Sequence, residues 1–174
     1  MLEQEPTMAL PLKWGSYRGR YVAGLTCILA GGLLLVLTNS YFLVALLIGS
    51  VLHAAGWIML PAAGWRRVVV AGPSIISICA LLAGPTQMVM LVLPLLGWLL
   101  VRHRPAVSAL SALLPLGSGL LLGTLLHGYP DQGLALSVSA VVLVVAAWSA
   151  RTLALDPAAS RFRRKSRQPS STVH

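Results

Sequence analysis

Six apolar runs dominate this chain. They occupy residues 21–38, 41–60, 68–83, 86–101, 106–126 and 134–150. A helix needs about 20 residues to cross the hydrocarbon core of a bilayer, within a range of about 17–25. Each run is near that length, and each ends at a polar or basic break. The breaks are Thr38-Asn39-Ser40, the stretch from Pro61 to Arg67, Gly84-Pro85, Arg102-His103-Arg104-Pro105, the stretch from His127 to Gly133, and Arg151. Little room is left for a water-facing surface, because 10% of the residues are charged and 57% are hydrophobic, against about 25% charged in soluble domains. The mean hydropathy is +0.82. The fold class expected is therefore all-α: a polytopic transmembrane bundle of six helices, arranged as three hairpins. An N-terminal segment at 1–20 and a tail at 151–174 flank a membrane domain at 21–150. The first run follows a polar stretch holding Glu3, Glu5, Lys13, Arg18 and Arg20, and further runs come after it. It reads as a true membrane helix rather than a cleaved signal.

Charge placement orients the bundle. With six crossings, one side receives Lys13, Arg18, Arg20, Arg66, Arg67, Arg102, Arg104 and Arg151. It also receives Arg161, Arg163, Arg164, Lys165 and Arg167, which completes all 13 Lys and Arg of the chain. The other side carries only Asp131. Lysine and arginine bias in short loops keeps positive ends cytoplasmic, so both termini are expected inside. The net charge of +9 is thereby explained by insertion into a bilayer, and no nucleic-acid partner is expected. Arginine outnumbers lysine, and Leu, Ala, Val and Gly are heavily used. That association with GC-rich bacterial genomes sets the plasma (inner) membrane as the expected location.

The third and fourth runs are the shortest on this reading, so a re-entrant pair turning at Gly84-Pro85 is the alternative to two full crossings. Either arrangement returns Arg102 to the side that holds Arg66.

No Asp, Glu, Lys or Arg lies inside any of the six runs. Intramembrane charges usually mark ion pathways, proton relays and substrate sites. Their absence counts against carboxylate-coupled transport and against paired-carboxylate catalysis. His53 is the one ionisable side chain at depth. Gly49, His53 and Gly56 share a helix face by their i, i+4, i+7 spacing, with Ser50 adjacent. Small residues on that face admit another helix, and a histidine there can hydrogen-bond across the contact. A ligand-binding histidine is the sharper reading and a structural hydrogen bond the plainer one. Pro94 and Pro115 each remove a backbone donor and free the carbonyl four residues earlier, at Met90 and Ser111. Broken helices of this kind expose backbone groups to substrates in some transporters. His53, Ser50 and Ser111 are accordingly the binding candidates. Gly119 and Gly123 form a GxxxG motif expected to make a close helix contact.

The remaining features are weaker. Trp57, Trp98 and Trp148 each follow Gly or Ala near the inner end of an even-numbered run, as an aromatic belt or a duplicated hairpin would place them. Cys27 and Cys79 fall inside apolar runs and read as small hydrophobes. His127 and Asp131 are too few for a metal site, which needs at least three ligands, and no cofactor is expected. Basic residues from Arg161 to Arg167 should meet anionic lipid heads.

Enzyme signatures such as GxSxG, HExxH and the P-loop are absent from the sequence. Leu116-Gly117-Ser118-Gly119 resembles half of the rhomboid-protease motif, but the only later membrane-proximal histidine, His127, ends the same run, and a separate helix should carry it. The length and six-span plan resemble the substrate-binding components of energy-coupling-factor vitamin importers. That resemblance implies a solute-binding bundle and carries no residues over. The expected function is a non-catalytic accessory or assembly subunit of a membrane complex with a membrane-protein partner. A small-solute transporter or importer component is the alternative. The charge split makes a direct prediction: alkaline phosphatase fused after Asp131 should be active and a fluorescent protein fused at the C-terminus should fluoresce. Inactivity of both would mean that the orientation is inverted.

Overall fold

The computed structural model describes residues 15–38, 42–62, 64–126 and 128–155, and every regular element among them is helical. Six helical segments follow one another. α1 is Tyr17–Val36 and α2 is Leu43–Met59. α3 is Gly64–Ala80, prolonged by a 3-10 turn at Leu81–Ala83. α4 begins as a 3-10 helix at Pro85–Leu91 and continues as an α-helix over Val92–Val101. α5 repeats that plan, with 3-10 geometry at Ala106–Ala112 and α geometry at Leu113–Leu125. α6 is Gln132–Leu155. The N-terminal segment up to residue 14, His127 and the basic stretch from Arg161 to Arg167 lie outside the described residues.

Four segments are long and apolar enough to cross a membrane: Tyr17–Val36, Gly64–Ala83, Ala106–Leu125 and Gln132–Ala154. The shorter apolar ones are Leu43–Met59 and Pro85–Val101. This corrects the sequence expectation for the third segment, which is among the long ones; the fourth is short as expected, and the second is short with it. α3 gains length at its start because Gly64-Trp65-Arg66-Arg67 joins the helix instead of forming a loop. α1 likewise starts at Tyr17 rather than at residue 21. Ser16 caps it, its Oγ accepting from the Gly19 N–H at 3.1 Å. That bond satisfies one of the donors left over at a helix start. α6 runs past Arg151 to Leu155. Arginines expected outside the spans therefore belong to the end turns of helices.

The 3-10 stretches have a common cause. Each is seven residues long, where runs beyond three or four are uncommon. Each ends three residues before a proline, Leu91 before Pro94 and Ala112 before Pro115. A proline offers no N–H to the carbonyl four residues back and its ring crowds that carbonyl; the turns before Pro94 and Pro115 are tightened, whereas those before Pro73 in α3 stay α-helical. The rise per residue grows from about 1.5 Å to about 2.0 Å. For α4, seven residues of one kind and ten of the other reach roughly 29 Å, close to the ~30 Å hydrocarbon thickness. The short count of α4 is offset by its geometry.

Contacts at the far end fix how deep α3 and α4 go. Between them Gly84 turns the chain at φ 108°, a conformation that glycine adopts without Cβ strain. Leu81, Met88 and Leu91 pack beside that turn with Ala135, Val36, Leu126 and Leu136. These belong to the end of α1, the end of α5 and the start of α6. The Gln132 Nε2 donates to the Leu81 carbonyl at 2.9 Å. α3 and α4 thus meet at the same end of the bundle as the close of α1 and α5 and the start of α6.

Much of the outer surface is apolar. Val22, Leu29 and Leu33 on α1, Leu47 and Val51 on α2 and Val141 and Val144 on α6 are all at least 60% exposed. A soluble monomer rarely shows an apolar patch beyond a few hundred Å², whereas lipid covers such a surface without cost.

One bond ties the proline effect to the packing. Ser77 is fully buried on α3, and its Oγ donates to the Met90 carbonyl, the group that Pro94 deprives of its helical donor. Ser77→Ala should lower stability by about 1–2 kcal/mol, read by thermal unfolding in detergent. In a Pro94→Ala background the loss should shrink, because the restored N–H serves Met90; equal losses in both backgrounds would show that the two groups do not share the carbonyl.

Candidate functional site

α1 and α2 meet through glycines. A Cβ added at Gly31 would lie 2.5 Å from the His53 nitrogen, and one at Gly56 would lie 2.6 Å from the Ile28 nitrogen. Additions at Gly24 and Gly49 would come within 2.9 Å of the Gly56 carbonyl and 3.0 Å of the Gly31 carbonyl. Two glycines seven residues apart on each helix therefore face each other in opposite chain directions. Any side chain at these positions would force the backbones apart.

His53 sits midway between Gly49 and Gly56, opposite Ile28, which lies midway between Gly24 and Gly31. Its Nδ1 is 2.8 Å from the Ile28 carbonyl. Its Nε2 is 2.8 Å from Ser74 Oγ on α3, and the Trp57 indole donates to the same nitrogen at 3.1 Å. The donor types decide the tautomer. A carbonyl only accepts, so Nδ1 carries the hydrogen. An indole N–H only donates, so Nε2 presents its lone pair. Ser74 then donates its hydroxyl hydrogen to Nε2. In the neutral imidazole with hydrogen on Nδ1, the Ser74 and Trp57 hydrogens share the single Nε2 lone pair in a three-centre bond. One residue thereby joins three helices: α1 through a backbone carbonyl, α2 through its own chain and α3 through a serine.

The network is sealed. His53 and Ser74 are each 1% exposed and Trp57 is 2% exposed. Leu60, Val70, Ala71 and Val101 pack on the Trp57 side, with Ile28 and Tyr21 partly buried against them. A serine within hydrogen-bond reach of a histidine is the geometry of an activated nucleophile. Here the other ring nitrogen is held by a backbone carbonyl and both side chains are buried. The arrangement as it stands holds three helices together.

The other binding candidates point elsewhere. Ser50 donates to Leu46 of its own helix at 2.8 Å and takes no part in the His53 network. Ser111 is buried and donates to the Ser108 carbonyl at 2.8 Å. Ser108, itself fully buried, donates across to the Ala150 carbonyl of α6 at 3.0 Å. Ser118 donates to Pro115 of its own helix at 3.3 Å. Gly119 and Gly123 lie against the 3-10 part of α4, where added Cβ atoms would come 2.6 Å from the Val89 backbone and 3.2 Å from Thr86 Cα. The three tryptophans do not share one environment: Trp57 is in the core, Trp98 is half-buried and Trp148 is 69% exposed. Cys27 and Cys79 are free and half-buried. Among the described residues no three His, Cys, Asp or Glu side chains gather to hold a metal.

Arginines crowd the opposite end from Gly84. Arg20 is 4% exposed, and its Nε donates to the Met59 carbonyl at 3.1 Å. Arg67 donates to the Ala62 carbonyl through Nε and Nη2 and to the Ile58 carbonyl at 2.9 Å. The Arg66 Nη1 donates to the Leu100 carbonyl at 2.8 Å. These side chains start from α1 and α3 and close the C-terminal ends of α2 and α4, where carbonyls lack helical partners. α4 also closes itself. Arg104 N–H donates to the Leu99 carbonyl at 3.1 Å and His103 N–H to that of Leu100 at 3.3 Å, with His103 at φ 54°. That is a Schellman end with histidine where glycine is usual. Partial burial first, and the Arg66 charge second, hold His103 below the ordinary imidazole pKa.

Sequence reasoning named His53, Gly49 and Gly56. It passed over Ser74, the Ile28 carbonyl, Gly24, Gly31 and the buried Arg20. The matching seven-residue spacing of Gly24/Gly31 and Gly49/Gly56 was a usable signal. Ser74 had none, because one serine among several in α3 looks like any other. Comparison with protein-family models, with curated proteins and with solved structures finds no match to the chain.

Removing the imidazole should be more damaging than removing either side-chain partner. His53→Ala strands the Ser74 hydroxyl and the Trp57 N–H in an apolar interior, and should cost roughly 2–3 kcal/mol. Ser74→Ala removes one bond and should cost about 0.6–1.7 kcal/mol. Thermal unfolding of the single and double variants checks this, and additive losses would show that the two residues are not coupled.

Proposed function

We propose that the chain is a six-crossing plasma (inner) membrane protein, built as three hairpins with both termini cytoplasmic, and that it is a non-catalytic accessory or assembly subunit of a membrane complex. The observation that carries this reading is the sealed His53–Ser74–Trp57 seam. The one ionisable side chain at mid-depth is buried and consumed in joining helices. The arginine-rich end supports the orientation, because positive loop residues are retained in the cytoplasm. The exposed apolar flanks of α1, α2 and α6 suit lipid and a membrane-embedded partner. The GxxxG face of α5 is occupied by α4, so the partner would meet other surfaces.

A second reading, a small-solute transporter or solute-binding component of an importer, draws on the paired proline-linked breaks. The 3-10 part of α4 lies against α5, whose own break precedes Pro115, and two such segments in contact could rearrange together.

Purification from its native membrane in mild detergent tests the first reading. A second membrane protein should co-purify at constant ratio. Recovery of the chain alone, with its melting temperature raised by a member of a small-solute library, would overturn the accessory role and favour the carrier.

A further inference from the structure

At the arginine end a cavity of about 540 Å³ opens between α1, α4 and α6. Arg102, Arg104 and Arg151 line it together with Tyr21, Trp98 and Trp148. The Arg102 guanidinium carbon lies 5.0 Å from the Tyr21 ring centre and 5.4 Å from that of Trp98. Such stacking sets the plane in which the guanidinium presents its donors, and that planar fork matches a carboxylate. Arg102 and Arg104 are both engaged, yet among the described residues no carboxylate lines the cavity. Asp131, the one acidic residue described, stands beside Gln132 at the other end of the bundle.

The chain has four acidic residues, Glu3, Glu5, Asp131 and Asp156. Asp156 heads a stretch that carries Arg161, Arg163, Arg164, Lys165 and Arg167, and the cavity's arginines repel that charge. The segment before α1 matches better. Residues 1–14 carry Glu3 and Glu5 against a single Lys13. They also carry Leu2, Met8, Leu10, Leu12 and Trp14, apolar groups that suit the cavity's rings. Trp148 at its edge is 69% exposed and open to such a cover.

We propose that residues 1–14 fold back across this cavity and set Glu3 and Glu5 against its arginines. The entry to α1 is shaped for a return. Gly15 stands at φ 62° directly before the Ser16 cap, a left-handed turn that diverts the chain from the line of the helix. Tyr21, on the cavity wall, is one turn into α1, about 6 Å along the helix from Tyr17. Glu5 precedes Tyr17 by 12 residues, a reach of up to about 40 Å, so length does not limit the contact. The strap ties the start of α1 to the ends of α4 and α6. It rests neither on the membrane orientation nor on the accessory role.

Digestion of the full-length protein in detergent with lysyl endopeptidase tests it. The chain has two lysines, Lys13 in the segment and Lys165 in the tail, so the second is a control within the same molecule. Lys13 should be cut more slowly than Lys165. Glu3→Gln with Glu5→Gln should speed the cut at Lys13 about tenfold, the effect of losing two ion pairs of this kind, and leave Lys165 unchanged. Arg102→Gln with Arg104→Gln should do the same, and combining the two pairs of substitutions should bring no further gain. Should the arginine variant fail to fold, 1 M salt on the unmodified protein replaces it. That salt shortens the screening length to about 3 Å and should raise the rate at Lys13, relative to Lys165, to that of the glutamate variant. An unchanged rate at Lys13 in the glutamate variant would overturn the proposal and leave shielding by detergent. Acceleration at Lys165 instead of Lys13 in the arginine variant, matched by Asp156→Asn, would overturn it in favour of the C-terminal segment. Protection of Lys13 that appears only with added phosphatidylglycerol would overturn it in favour of a lipid headgroup.

Discussion

The close approach of α1 and α2 is the constraint on which the rest depends. In an apolar solvent the hydrophobic effect gives helices no reason to associate, and van der Waals contact with a few interhelical hydrogen bonds must do it instead. Both need short distances. Gly24 and Gly31 against Gly49 and Gly56 provide them, with hypothetical Cβ positions 2.5–3.0 Å from the facing backbone. Only because the backbones come so near can the His53 ring reach the Ile28 carbonyl at 2.8 Å. Once that nitrogen is anchored, the ring plane is set and the second nitrogen faces α3, where Ser74 meets it. Packing thus comes first and polar bonding second. The histidine converts a helix pair into a three-helix unit.

A second constraint is that each backbone carbonyl buried away from water needs a donor. α4 and α5 lose donors to Pro94 and Pro115, and the chain answers with 3-10 turns upstream and, at the Pro94 break, with a serine hydroxyl from α3. Ser77 serves Met90, and Ser108 serves Ala150 across the α5–α6 contact. Four of the buried polar side chains besides His53 and Arg20 are serines with a partner: Ser74, Ser77, Ser108 and Ser111. A serine is short enough to fit between helices and needs few partners to be satisfied. Ser139, also buried, has no partner among the described residues.

The sequence made the number of segments legible because the length needed to cross a bilayer and the breaks between runs are both written in single residues. Segment ends were less so. Hydropathy stops at the first charge, whereas a helix continues until its carbonyls or N–H groups are capped. Ser16 therefore starts α1 before Arg18 and Arg20, and Arg66 and Arg67 fall inside α3. For the site, spacing on one helix revealed Gly49, His53 and Gly56 as a face, since periodicity is local. What the face meets is not local. Ile28 is 25 positions away and Ser74 is 21 away, and nothing in either residue's neighbourhood singles it out. The same limit hid Trp57, whose place near a helix end suggested the membrane surface while its indole N–H was needed in the core.

The arginines at one end carry two demands that at first conflict. Topology places positive residues at the start of α1 and α3, yet a positive charge near the N-terminus of its own helix opposes the helix dipole. The structure resolves the conflict by reach. Arg20, Arg66 and Arg67 extend from helix starts to the neighbouring helix ends, donating to Met59, Leu100, Ala62 and Ile58 carbonyls. At those ends the dipole is negative and four carbonyls want donors. The start of α1 lies beside the end of α2 and the start of α3 beside the end of α4, and an arginine's length spans each gap. Basic cluster and helix cap become one set of side chains. Arg102 stacks instead on Tyr21 and Trp98, and with Arg104 and Arg151 it is turned toward the cavity between α1, α4 and α6.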